Sequence, residues 1–138
     1  MKQEFHQITV PTDGQGFYEV TNAVTSWLSE SGCKNGMVTV FIRHTSASLI
    51  IQENADPDVQ HDLRDALARL APQSGTYRHS SEGPDDMPAH IKSALTSVSL
   101  NIPVMTGSIA LGTWQGIFLL EHRDAPHHRT LVLHFIGD

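Results

Sequence analysis

Apolar and polar residues alternate with a period of two at the start of the chain. From Lys2 to Val10, His6, Ile8 and Val10 fall on one side and Phe5, Gln7 and Thr9 on the other, which predicts a strand. Thr12-Asp13-Gly14-Gln15-Gly16 then turns the chain. From Phe17 onward the spacing of Val20, Val24, Trp27 and Leu28 becomes helical, and Gly32 stands where a helix-ending glycine belongs. Met37 to Arg43 returns to period two with Val38, Val40 and Ile42 on the buried face. His44 continues that face, so its imidazole is expected at the interior or at a pocket mouth. Thr45-Ser46-Ala47-Ser48, the apolar run Leu49-Ile50-Ile51 and the polar group Gln52-Glu53-Asn54 follow.

Asp56-Pro57 is a helix start with a mechanism: Asp accepts from free N-terminal amides, and Pro at the first position gives up no hydrogen bond. Val59, Leu63, Ala66, Leu67 and Leu70 then recur at helical spacing and predict an inward face. Between Tyr77 and His90 the pattern stops, and Gly83, Pro84 and Pro88 break regular structure. A helix is predicted from Pro88 to about Thr96, with Ile91, Ala94 and Leu95 inward and His90 in its first turn. Val98, Leu100, Ile102 and Val104 alternate, Met105-Thr106-Gly107-Ser108 makes a hairpin turn, and Ile109 to Gly112 returns. Thr113 to His122 and Arg129 to Ile136 are expected to pair across Asp124-Ala125-Pro126-His127. No βαβαβ rhythm is present. The reading is one α+β domain over residues 1–138, predominantly antiparallel, with two sheets in a sandwich and two or three helices on an edge or face.

Composition narrows the function. Nine Lys plus Arg against fifteen Asp plus Glu give a net charge of -6, which offers no field for nucleic acid. Cys33 is the only cysteine, so no disulfide framework exists. With no apolar run of membrane length, a cytoplasmic chain that neither inserts in a membrane nor is secreted is expected. Nine His among 138 residues stand out and are not a tag-like run. That directs attention to metal binding or proton transfer.

The Tyr77–His90 loop holds two His, three carboxylates, an Arg and a Tyr, which makes it the first candidate for chemistry. A metal site needs three or four donors converging at about 2.0–2.2 Å from the ion. His44, His79 and His90 are the expected ligands, one ending a strand, one in the loop and one opening the next helix; zinc or magnesium is the expected ion. No His-Glu-x-x-His or Cys-x-x-Cys pair is present. His6, His61, His127, His128 and His134 read as ordinary core or surface residues. Glu82, Asp85 and Asp86 can serve as base, ligand or helix cap, and Glu53 with Asn54 is expected to reach the same site from the end of the Leu49 run. Arg129, Arg43 and Arg123 are candidates for an anionic substrate. Thr45, Ser46 and Ser48 lack the Gly-x-Ser-x-Gly elbow of a hydrolase. Trp114-Gln115-Gly116 joins a large aromatic to an amide and a glycine that admits close approach, with core packing of the Trp as the ordinary alternative.

Five segments in order resemble the YjbQ-like family, also called the secondary thiamine-phosphate synthase enzyme family, over nearly the whole chain. They are His44-Thr45-Ser46-Ala47-Ser48-Leu49, Glu53-Asn54-Ala55-Asp56-Pro57, Tyr77-Arg78-His79, Glu82 to Lys92, and Leu111 to Ile117 with Glu121-His122-Arg123. The resemblance implies a jelly-roll-like sandwich with helices and a homotrimer with a polar His-containing pocket at or near the subunit contacts. It also implies a weak thiamine-phosphate synthase activity on a small phosphorylated metabolite. On this basis the expected site has His44, His79 and His90 as metal ligands and Asp86, Glu53 and Asn54 as catalytic groups. Ser46, Arg129, Trp114 and Gln115 are its expected substrate contacts. The chain has no Gly-rich phosphate loop and few basic residues, which suits a side activity better than a dedicated synthase. Two other classes fit the same residues. One is a non-catalytic trimer that binds a metabolite or a metal; the other is an assembly domain in which the histidines join subunits.

Overall fold

A computed structural model describes residues 1–138. Its elements in order are β1 (Lys2–Thr12), β2 (Gly16–Glu19), α1 (Thr21–Glu30), β3 (Gly36–Ile42), β4 (Ala47–Glu53), α2 (Pro57–Leu70), α3 (Asp86–Leu95), β5 (Ser99–Met105), β6 (Ser108–Ile109), β7 (Gln115–Glu121) and β8 (His127–Gly137). The strands form a five-stranded sheet in the order β1-β8-β3-β5-β6 and a three-stranded sheet in the order β2-β7-β4, antiparallel throughout. Consecutive strands β1 and β2, β3 and β4, β7 and β8 lie in different sheets, which is the crossed, jelly-roll-like connection of a sandwich.

The expected period-two faces form. Val38, Val40 and Ile42 from β3, Leu131, Leu133 and Phe135 from β8, Ala47 and Leu49 from β4, and Ile117 and Leu119 from β7 close one core between the sheets. Helix α1 plugs it with Val24, Trp27 and Leu28 and ends before Gly32, which takes φ 66°. Thr106 and Gly107 both adopt positive φ in the tight turn that joins β5 to β6.

Four expectations change. Strand β7 pairs with β2 and β4, while β8 pairs with β1 and β3, so the expected hairpin between them is a crossover. Phe17 lies in β2 instead of opening a helix. Helix α2 starts at Asp56-Pro57 as expected, with the Asp56 side chain accepting from Asp58 N at 3.0 Å, yet none of its residues is buried and Leu70 is exposed. Helix α3 begins at Asp86, two residues before Pro88, and is turned over. Asp86, Ala89, Lys92 and Ser93 face inward, whereas Ala94 and Leu95 face solvent. Periodicity placed the helix but not its inner side.

Candidate functional site

Helix α3 presents Asp86 and His90 four residues apart on one face. The loop before it folds back at Gly83, where φ is 106° and Asp86 N donates to the Gly83 carbonyl, and brings His79 over that face. His79 Nε2 lies 2.6 Å from Asp86 Oδ2 and His90 Nε2 lies 3.2 Å from the same oxygen. One ligand atom from each of these three residues falls within 4.8 Å of the others.

Arg123, in the loop after β7, holds this face in position. Its Nε donates to Asp85 Oδ2 at 2.9 Å, Nη1 to Asp86 Oδ1 at 2.8 Å and Nη2 to the Glu82 carbonyl at 3.1 Å. Asp85 also accepts from Asp124 N at 2.9 Å, so neither Asp85 nor Asp86 caps α3 with its side chain. Burial alone would push the Asp86 carboxyl up, but the hydrogen bond from His79 and the charges of Arg123 and His90 outweigh it and hold the group below the usual carboxylate range. Such a carboxylate is a weak proton acceptor, so the geometry suits Asp86 to ligating a cation better than to the expected role of base.

The tautomer of His90 is fixed by its neighbours. Nδ1 lies 2.9 Å from the Thr45 carbonyl, which can only accept, so Nδ1 carries a hydrogen. In the neutral ring Nε2 then turns a lone pair toward Asp86 Oδ2, acceptor against acceptor. A cation between the two, proton or metal, resolves the clash. An imidazole held by a backbone carbonyl through its other nitrogen is also the common support of a metal-ligating histidine.

His44 does not join this group. As its face predicted, it is half-buried, but Nε2 accepts from Thr130 N at 2.8 Å and Nδ1 lies 3.4 Å from Arg129 Nη1. Its metal-binding lone pair is already used. Burial first, and then the Arg129 charge, push its pKa down. Ser46 and Arg129 do come together, with Nη2 of Arg129 donating to Ser46 Oγ at 3.0 Å. The guanidinium is committed to buried Glu121, with Nε to Oε1 at 2.8 Å, and Thr12 donates to the same oxygen at 2.6 Å. With its donors turned to Glu121 and Ser46, the Arg129 guanidinium suits a structural role better than the expected substrate contact.

The remaining expected residues lie elsewhere. Glu53 pairs with Gln115 at the end of β4 remote from Thr45, about 20 Å along the strand. Glu53 Oε2 accepts from Asp56 N at 3.3 Å, Asn54 Nδ2 donates to Glu19 Oε2 at 3.1 Å, and Gln115 Oε1 accepts from Gly112 N at 2.7 Å. The first and last close turns, and the second ties the end of β4 to the end of β2. Trp114 is 63% exposed and is not a core residue.

Sequence reasoning left open whether His122 belongs to the site and passed over Lys92 and the clamp role of Arg123. His122 is 4% exposed and Nε2 lies 2.8 Å from Ser48 Oγ. Burial pushes its pKa from 6.5 to about 4. Lys92 is buried as well, and its Nζ donates to Gln15 Oε1 at 3.1 Å. Both line a cavity under α2. The Asp86-x-x-x-His90 spacing was the one available signal, since it places a carboxylate and an imidazole on the same helical face.

A histidine pair sharing a clamped carboxylate on a two-sheet antiparallel frame is what the related proteins have to be compared with. The family model for UPF0047 YjbQ-like proteins matches residues 6–138, and the chain belongs to this family. A UPF0047 protein of Synechocystis sp. is 51% identical over 138 residues, covering 99% of this chain and 94% of that protein. UPF0047 protein YjbQ of Escherichia coli O157:H7 is 41% identical over 132 residues, covering 95% and 96%. Among solved structures, a YjbQ/UPF0047 family protein of Clostridium acetobutylicum superposes with a TM-score of 0.88 at 39% identity, covering 95% of this chain and 99% of that one. A hypothetical protein of Aeropyrum pernix K1 gives 0.90 at 32% identity, covering 98% and 99%.

Proposed function

We propose that the protein is a small metal-dependent enzyme that acts on a phosphorylated small molecule, with His79, Asp86 and His90 holding one divalent ion. The observation that carries this is the His90 arrangement: a ring locked by the Thr45 carbonyl at 2.9 Å aims a lone pair at a carboxylate oxygen 3.2 Å away. Donors on a tetrahedral zinc ion at about 2.0–2.1 Å stand roughly 3.3 Å apart, so small movements of His79 and Asp86 would admit the ion. Two imidazoles and a carboxylate suit zinc or a neighbouring transition metal better than magnesium. When bound, such an ion polarises phosphoryl oxygens or lowers the pKa of a water. The chain supplies the anion that holds it, the Arg123 clamp that orients that anion, and His79, exposed enough to meet a ligand.

Joining of hydroxymethylpyrimidine pyrophosphate to thiazole phosphate, in which the ring nitrogen of the thiazole bonds to the pyrimidine methylene as pyrophosphate leaves, is the side activity that the family resemblance implies and fits a site with one cation and few other positive groups. Assembly as a cytoplasmic homotrimer belongs to the same reading. Phe5, Met37 and Phe41 support it, lying exposed on the outer face of the five-stranded sheet, as does the unburied apolar stripe of α2. No helix is long and apolar enough to cross a membrane. The test is turnover of the two thiamine precursors by the metal-loaded protein and by Asp86→Asn. Pyrophosphate release abolished by a chelator and in the variant supports the reading. Release unaffected by both refutes it, and an inactive protein that binds the ion tightly favours the non-catalytic metal-binding alternative.

A further inference from the structure

The turned-over face of α3 has a chemical consequence. Lys92, where an amphipathic helix would place an apolar residue, points under α2 into a cavity of about 320 Å³. Phe17, Leu67 and Leu120 supply apolar walls, and Arg64 reaches in from α2. Lys92 is 4% exposed, its ammonium has the single partner Gln15 Oε1, and no carboxylate oxygen lies within 4.0 Å of Nζ. An ammonium carries three donors, and burying one without a counter-charge is costly. Arg64 makes no hydrogen bond or ion pair with any residue of the chain either. Of the two acids lining the cavity, Glu121 is bound to Arg129 and Asp65 is exposed on α2. Buried Lys92 and exposed Arg64 thus share one partly apolar cavity, and the acids whose charge reaches Lys92 are already engaged, Asp124 by Gln15 and Gln73 and Asp85 by Arg123.

We propose that this cavity is a binding site for a small dianion, a phosphate monoester or inorganic phosphate, gripped between Lys92 Nζ and the Arg64 guanidinium. A phosphate group at neutral pH carries a charge of about -1.5 to -2, which balances the two cations, and a guanidinium fork matches its oxygens. The volume is at the small end of ligand sites, roughly 300–1,000 Å³, so the organic part is compact and rests on Phe17, Leu67 and Leu120. The site is separate from the ion centre, because Lys92 follows His90 by two residues and so points roughly 200° away around α3. It therefore stands whether or not the metal reading holds.

Calorimetric titration of the full chain with inorganic phosphate, phenyl phosphate and benzoate tests this. Saturable phosphate binding is expected, tighter for phenyl phosphate and weaker for benzoate. Losing one charge-assisted contact weakens binding roughly tenfold or more, expected in both Lys92→Met and Arg64→Gln; the latter sits on the exposed helix and does not disturb the core. His90→Ala and added chelator are expected to leave the affinity unchanged. No saturable binding, full affinity in Arg64→Gln, or loss confined to His90→Ala would each overturn the assignment.

Discussion

Acidification tests the burial of His122, because its effect on stability has a definite size and window. Burial, reinforced by the Lys92 and Arg129 charges, takes its pKa from 6.5 to about 4. Above pH 6.5 the ring is neutral in folded and unfolded chains and has no effect on the balance. As pH falls below that value the unfolded chain takes up a proton that the folded chain refuses, so stability drops until the folded pKa is reached. The whole interval amounts to about 3 kcal/mol at 1.36 kcal/mol per unit, with about 2 kcal/mol lost by about pH 5. Asp85, Asp86 and Glu121 work lower down. Burial raises each, but hydrogen bonds from their partners and nearby positive charge hold all three below the ordinary range, so their contribution is present above the unfolded pKa and lost only at still lower pH. Urea unfolding of wild type and His122→Gln, followed by the fluorescence of buried Trp27, isolates the term from the other histidines. Between about pH 8 and about pH 5 the wild type is expected to lose about 2 kcal/mol more than the variant. An equal loss in both proteins would refute the argument.

Two further substitutions separate scaffold from site. Arg129→Met strands the Glu121 carboxylate, which is fully enclosed, and is expected to cost about 3–5 kcal/mol in urea unfolding. Adding Glu121→Gln should restore a good part of that; an Arg129→Met protein of wild-type stability would contradict the buried-pair account. Arg123→Ala frees the Asp86 carboxylate from its clamp and is expected to weaken zinc binding about 10- to 100-fold by calorimetry, with an unchanged affinity counting against a positioning role.

What could be read from the sequence was local. The alternation of Val38, Val40 and Ile42 located β3 and its inner face, and Asp56-Pro57 located the start of α2, because each rests on neighbours only a few residues away. Strand pairing was not readable, since the continuous apolar run of β7 and the alternation of β8 each mark a strand but do not say that the two belong to different sheets. The same ignorance of topology put Glu53 and Trp114 with the histidines, although the end of β4 and the start of β7 hold them at the opposite end. Lys92 was hidden for another reason. A periodicity argument assigns Leu95 to the core, whereas the fold exposes Leu95 and buries the lysine against the cavity under α2. His44 was rightly expected to face inward, but only coordinates reveal that the Thr130 amide occupies its lone pair.

The metal content of three proteins bears most directly on the central claim. Wild type, His44→Ala and His90→Ala would be loaded with zinc, desalted and analysed for bound ion per chain. The account predicts one tightly held ion in wild type and in His44→Ala, and none in His90→Ala. Equal zinc in all three, or loss in His44→Ala alone, would contradict it.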